Sequence, residues 1–203
     1  MKLILASASP RRAEILRNAG FAFEVFSTNV DETRLPDEPA ADYVLRLARE
    51  KARIAFDSAA AKAASPAICI GADTTVALGM HVLGKPADFE DARWMLRELS
   101  GHTHEVLTGL SLVSLPHRRE ISHVETTKVT FAELSEAEIE RYLASGEPFD
   151  KAGAYGIQGY GATIVTRVDG DYFAVMGLAL NRLVRLCQEL GLRYAFGALE
   201  ADE

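Results

Sequence analysis

The sequence predicts an α/β fold in which helices flank a mixed, twisted sheet, and three patterns carry that expectation. Short apolar runs of strand character alternate with stretches of helical periodicity through the first half of the chain. Two further strand-like runs, 105–115 and 120–131, are separated by a turn containing Pro116, which asks for an antiparallel hairpin within the same sheet. Over 203 residues, 48% hydrophobic and 25% charged positions match an ordinary globular domain. That length suits one domain, or one domain in two lobes.

The elements follow in order. Residues 3–6 read as a strand ending in Ser-Ala-Ser-Pro, and 13–19 as a helix stopped by Gly20. Residues 23–27 read as a second strand. A polar, proline-punctuated loop covers 28–39, and good helix formers with helical periodicity predict a long helix over 40–63, ended by Pro66. AICIGA, residues 67–72, is a strand of the buried type; 74–78 resumes after Asp73, and Gly79-Met80 turns the chain into 81–83. Residues 88–99 form a helix closed by Ser100-Gly101. Ser135 with Glu138 three residues later is a capping box that opens a helix to about residue 145. A glycine-rich segment, 146–161, precedes a strand at 163–168 and a final helix at 178–190. One domain over 1–193 is expected, with 194–203 frayed at its end.

A net charge of -7 opposes long polyanionic partners such as nucleic acid or an anionic membrane surface, while leaving room for a small anion at a local cluster. Two cysteines, Cys69 and Cys187, lack any zinc-binding spacing and read as buried thiols in a reducing compartment. The opening apolar run is too short for a signal peptide, and no stretch nears the about 18 apolar residues of a membrane span. A cytoplasmic protein is expected.

Residues placed at a local cost point to function. Pro10 suits the first position of a helix, yet Arg11 and Arg12 then put two cations where the helix dipole already favours anions. With the hydroxyls of Ser7 and Ser9 and free N–H groups at the helix start, this segment resembles a phosphate cradle. Two solvated arginines after an ordinary loop are the plain alternative. At about 100° per residue from Tyr43, Lys51 falls near 80°, inside an apolar stripe of Ile54, Leu47, Val44 and Ala55 and away from Arg46, Arg49 and Arg53. A lysine aimed inward needs an anionic partner or a route past the core edge to water.

Asp73 ends the AICIGA run, where α/β sheets place ligand-binding and catalytic groups. A structural Asp that caps its threonine neighbours is the alternative. Residues 79–86, GMHVLGKP, fall one residue short of a phosphate loop, and Pro86 removes the hydroxyl that would hold magnesium, so a P-loop is rejected. Lys85 remains a candidate phosphate contact. The segment GEPFDKAGAYGIQGYG packs five glycines with Asp150, Lys151 and Gln158, while Phe149, Tyr155 and Ile157 look like anchors, which favours an ordered binding loop over a linker. Gln158 offers a donor and an acceptor, matching the imide edge of a pyrimidine. All five histidines and the lone Trp94 read as structural, with Trp94 in a helix core. Ser7 lacks the partners of a covalent nucleophile.

SASPRR at 7–12, REKA at 49–52, GADTTV at 71–76, GKP at 84–86, LSG at 99–101 and SGEPFDKAGAYGIQG at 145–159 together resemble the Maf family of nucleotide pyrophosphatases over nearly the whole chain. The twin arginine, ADT and AYGIQG segments resemble the branch that hydrolyses dTTP and UTP to the monophosphate and pyrophosphate, rather than the 7-methyl-GTP branch. The resemblance implies a Maf/inosine-triphosphatase-like fold with two lobes around a central cleft. It implies Asp73 as proton acceptor, Arg11, Thr74 and Gln158 as positions of base choice, and Ser7, Arg12, Lys51 and Lys85 as triphosphate contacts. Glu32 and Asp73 would hold a divalent cation, Mg or Mn, with Asp31 a rival for Glu32. A nucleoside triphosphate as partner, and commonly a homodimer, are implied as well. The competing reading is a nucleotide-binding regulator of cell division that uses the same residues without turnover.

Overall fold

A computed structural model describes residues 1–61 and 66–201. The last residues of the expected helix over 40–63, and the very end of the expected tail, lie outside them. The chain divides into two compact units: residues 1–73, 108–125 and 177–203 make up the first, residues 74–107 and 126–176 the second.

In the first unit, β1 (Lys2–Leu5) pairs in parallel with β2 (Phe23–Val25) on one side and with the start of β3 (Ala67–Leu78) on the other. Parallel neighbours need crossover connections, and α1 (Pro10–Asn18) and α2 (Ala40–Ala61) supply them. The core beneath α2 gathers Ile4, Ala6, Ala52, Ala55, Phe56, Ala59, Cys69, Val113 and Leu115. Its small residues matter, because they let backbones approach. A Cβ on Gly71 of β3 would lie 2.0 Å from the Ala48 carbonyl oxygen, and one on Gly109 of β5 (Thr103–Ser114) would lie 2.3 Å from that of Val44. Glycine at both positions lets α2 lie directly on the strands.

In the second unit, β4 (His81–Leu83) pairs antiparallel with the end of β3, and β7 (Val165–Asp169) pairs antiparallel with β6 (Arg119–Phe131) through an irregularity at Thr130/Phe131. The helices α3 (Phe89–Leu99) and α4 (Glu136–Ala144) bury Ala92, Met95, Leu96, Leu99, Ile139 and Leu143 in a core with Val76, Val106, Val129 and Phe131. The Ser135–Glu138 capping box is formed as predicted. Hydrogen-bonding order through the sheet is β2-β1-β3-β5-β6-β7, with β4 attached to β3, so the sheet is mixed, as expected.

Several boundaries differ from the expectation. The helix α1 begins at Pro10, three residues earlier than predicted, and β3 runs unbroken through Asp73. Asp73 and the two threonines after it are tolerated because β3 is buried and polar groups along it find partners. A short helix, α5 (Tyr172–Val175), follows β7, capped by Asp171, and α6 (Leu180–Glu189) is the last helix. Beyond it, β8 (Leu192–Tyr194) and β9 (Leu199–Ala201) form a hairpin where a frayed tail was expected. Tyr194 explains the order: its ring stacks on Phe21 at 4.8 Å and its hydroxyl donates to the Ala19 carbonyl at 2.5 Å. Trp94, expected in a core, is 41% exposed on α3 with its ring at the edge of His81.

Candidate active site

The packing that seats α2 on β3 also sets the site of the first unit. Ala48 lies against Gly71, and Lys51 is one turn further along the same helix face; Asp73 is two residues beyond Gly71 and so on the same face of the strand. The two side chains meet. Lys51 Nζ donates to Asp73 Oδ1 at 2.7 Å and to Glu32 Oε1 at 2.6 Å. The lysine and aspartate side chains are only 7% and 11% exposed, whereas Glu32 is 53% exposed and closes the cluster from the solvent side. The inward lysine therefore has its anionic partners, as its place in the apolar stripe demanded.

The loop that delivers Glu32 is tied to α2. Arg46 holds the buried Glu38 carboxylate through Nε (2.7 Å) and Nη2 (2.9 Å) and also donates to the Thr33 carbonyl. Tyr43, two helical turns before Lys51, donates its hydroxyl to the Glu32 carbonyl at 2.8 Å. Burial, then the carboxylates of Asp73 and Glu32, push the Tyr43 phenol up to about 12, so it stays a donor. Asp31, the rival for Glu32, is instead engaged locally, its Oδ1 accepting from the Thr33 N–H. The geometry thus selects Glu32 as the carboxylate beside Lys51.

At the start of α1, Ser9 is extended and makes no side-chain cap, Pro10 takes the first helical position, and the first turn carries no acidic residue. Arg12 Nη1 donates to Ser7 Oγ at 3.0 Å and Nε to the Gly177 carbonyl at 2.7 Å, which fixes the guanidinium plane. Ser7 Oγ also accepts from the Ser9 N–H. Burial lowers the Arg12 pKa, Asp73 and Glu32 oppose that shift, and Arg11 adds to it. A guanidinium nonetheless stays protonated at any working pH. Lys51 is thus paired with Glu32 and Asp73, and the same two carboxylates act electrostatically on Arg12, which Ser7 holds in place.

The second unit carries Thr74, Lys85 and Gln158. Thr74 is half-buried on β3, and Lys85 is exposed just after β4. The Gly84 carbonyl beside it accepts from the Gly153 N–H at 3.0 Å, which ties this turn to the glycine-rich segment. Gly153 has φ +70°, and a Cβ there would press on Val76 at 2.9 Å. The segment is an ordered series of short 3-10 turns anchored by buried Tyr155 and Ile157, with Gln158 exposed between them and the next turn. Phe149 is a weaker anchor than expected, partly exposed and stacked on Phe89. His104 is buried, its Nε2 at 2.7 Å from the Tyr155 hydroxyl, and burial lowers its pKa to about 4.

Among the described residues no three His, Cys, Asp or Glu come together to hold a metal unaided. Two carboxylates do converge, on Lys51, and hard oxygen donors in that number suit a cation that completes its shell from water and substrate phosphates.

A mixed sheet, with Lys51 of α2 paired to Asp73 within β3 and to Glu32 of the preceding loop, marks an α/β protein with a charged site of a kind that suits a small polyanion. The Maf family, described as Maf-like protein, matches residues 2–190, and the chain belongs to it. It is 50% identical over 194 residues to the dTTP/UTP pyrophosphatase of Hahella chejuensis, covering 95% of this chain and 94% of that one. It is 52% identical over 181 residues to the dTTP/UTP pyrophosphatase of Vibrio cholerae, covering 88% and 92%. The corresponding protein of Carboxydothermus hydrogenoformans, also named dTTP/UTP pyrophosphatase, is 49% identical over 191 residues, covering 94% and 100%.

Tyr43, Arg46 and Glu38 escape a reading of the sequence, since an ion pair eight residues apart and a tyrosine on a helix carry no signature. Only the count of residues from Tyr43 to Lys51, about two turns, hints that the phenol shares the lysine's face.

Proposed function

We propose that this chain hydrolyses dTTP and UTP to the monophosphate and pyrophosphate. The observation that carries the reading is Lys51 bridging Glu32 and Asp73 in a chain whose relatives bear that activity in their names. Water attacks the α-phosphorus in line, the bond from that phosphorus to the bridging oxygen of the β-phosphate breaks, and pyrophosphate leaves. Asp73 orients the water and takes its proton, while Lys51 holds Oδ1 and so sets the carboxylate's plane. Arg12, held by Ser7 and the Gly177 carbonyl, meets phosphate oxygens without having to reorganise. Motif resemblance alone assigns Lys85 to the phosphates and Arg11, Thr74 and Gln158 to base choice.

Glu32 and Asp73 are the residues that would hold Mg²⁺ or Mn²⁺. Such a cation supplies charge neutralisation on the phosphates and acidifies a bound water. Among the described residues no helix is long and apolar enough to cross a membrane, and both cysteines are buried free thiols, which supports a cytoplasmic address. A homodimer rests on the family resemblance.

The test is a panel of deoxynucleoside and nucleoside triphosphates, assayed for pyrophosphate with Mg²⁺, with Mn²⁺ and with EDTA. Metal-dependent release fastest from dTTP and UTP is the expected result. Tight nucleotide binding without turnover would favour the regulator instead.

A further inference from the structure

Gln158 is exposed, yet the backbone on both sides of it is held by one pair of side chains that precede it in sequence. Tyr142, on α4, accepts from the Gly156 N–H at 3.1 Å and donates its hydroxyl to Glu147 Oε1 at 2.8 Å. Glu147 in turn accepts from the Gly161 N–H on Oε1 and from the Tyr160 N–H on Oε2, both at 2.9 Å. The chain is thus fixed two residues before Gln158 and two to three residues after it.

The glycines of the segment serve this arrangement. Gly159 has φ +67°, and a Cβ there would stand 2.4 Å from Glu147 Oε2. A Cβ on Gly161 would stand 2.0 Å from the Gly156 carbonyl oxygen and 2.7 Å from the Tyr142 hydroxyl. Only glycine lets the two flanks of Gln158 close on the same carboxylate and phenol. A third tie, Tyr155 to His104, holds the residue before Gly156. Burial alone would raise the Glu147 pKa, but the Gly161 and Tyr160 amides and the Tyr142 hydroxyl outweigh it and hold the group below the usual carboxylate range. Both carboxylate oxygens are engaged, by two backbone amides and the Tyr142 hydroxyl, which holds the ionised group in one orientation.

We propose that Tyr142 and Glu147 are positioning residues for base selection, a hydrogen-bonded pair that holds the backbone around Gln158 so that its amide meets a pyrimidine imide at one place and one angle. The proposal rests on the reading that Gln158 senses the base. A glutamine amide can turn over and offer cytosine the opposite polarity, so an amide on a loose loop discriminates poorly between the two pyrimidine edges. Fixing both flanks leaves the amide its own rotation but fixes the place and direction from which it approaches the base, so an edge that needs the loop to shift is met less well.

The test compares the full-length wild type with Glu147→Gln, Tyr142→Phe and Gln158→Ala for kcat and KM on dTTP and dCTP, with thermal unfolding recorded for each. Glu147→Gln sets an amide N–H against one of the donors that the carboxylate accepts; Tyr142→Phe removes the Gly156 acceptor and the link to Glu147. Both are expected to lower the dTTP to dCTP ratio of kcat/KM by about tenfold, mainly through a higher KM for dTTP, and Gln158→Ala moves it the same way. If Gln158→Ala shifts the ratio and neither clamp variant does, the positioning role is overturned while the base-sensing role stands. Equal losses on both substrates with an unchanged ratio overturn it too, since they report structure alone. If Gln158→Ala leaves the ratio unchanged, base sensing by Gln158 falls and the positioning role falls with it. Should Glu147→Gln fail to fold, Tyr142→Phe, which keeps the carboxylate on Tyr160 and Gly161, decides.

Discussion

His104 makes the stability of this protein depend on pH in the mildly acidic range. It is 2% exposed, boxed by the rings of Phe131 and Tyr155, and its Nδ1 has no hydrogen-bond partner among the described residues. Burial holds the folded-state pKa at about 4, against an ordinary value of 6.5. Because the folded pKa is depressed, the unfolded chain binds the proton first. Stability is fully present above about pH 6.5 and is lost as pH falls toward 4. At about 1.36 kcal/mol per pH unit, acidification from pH 7.5 to 4.5 removes about 2.5 kcal/mol through this one group. His104→Gln keeps a partner for the Tyr155 hydroxyl and has nothing to titrate. Urea unfolding of both proteins at steps between pH 7.5 and 4.5 isolates the effect, since the other groups that titrate, including the partly buried His123, are common to both. The wild type should lose about 2.5 kcal/mol more than the variant across that range. Curves that stay parallel within about 0.5 kcal/mol would show that His104 does not titrate with folding.

Gly71→Ala drives a Cβ into the backbone of α2 at Ala48 and should cost at least about 3 kcal/mol, seen as a midpoint lower by about 6–12 °C. Gly84→Ala, where a Cβ meets nothing within 4 Å, should stay within about 0.5 kcal/mol of wild type in the same scan. Arg46→Met strands the buried Glu38 carboxylate and releases the Thr33 carbonyl, so trypsin should cut at Arg34 about tenfold faster than in wild type, with cleavage mapped by mass. An unchanged cleavage rate would mean that the loop carrying Glu32 is held by something else.

Much of this was legible before any coordinates. The inward lysine followed from helical geometry, and the capping box at Ser135 from two residues and a spacing. Asp73 lies within a continuous strand rather than between two, because burial, its hydrogen bond to Lys51 and the strand-favouring Thr74 and Thr75 after it override the weak strand preference of Asp. Trp94 shows the limit of periodicity, which marks a helix face but not whether a neighbour covers it. The terminal hairpin was missed because its order comes from Tyr194 stacking on Phe21, more than 170 residues away in sequence. The choice of Glu32 over Asp31 likewise depended on distance: adjacent carboxylates in a loop look alike until one is seen on Lys51 and the other on its own backbone.

In the proposed reaction Asp73 takes the proton from water and Lys51 holds its carboxylate in place. Asp73→Asn keeps the Oδ1 acceptor for Lys51, and Glu32 still pairs with the same ammonium, so the thermal midpoint should stay within about 4 °C of wild type. Pyrophosphate release from dTTP with Mg²⁺ should nonetheless fall by about a thousandfold, the loss of a positioned proton acceptor. A folded Asp73→Asn protein that releases pyrophosphate at near wild-type turnover would contradict the account.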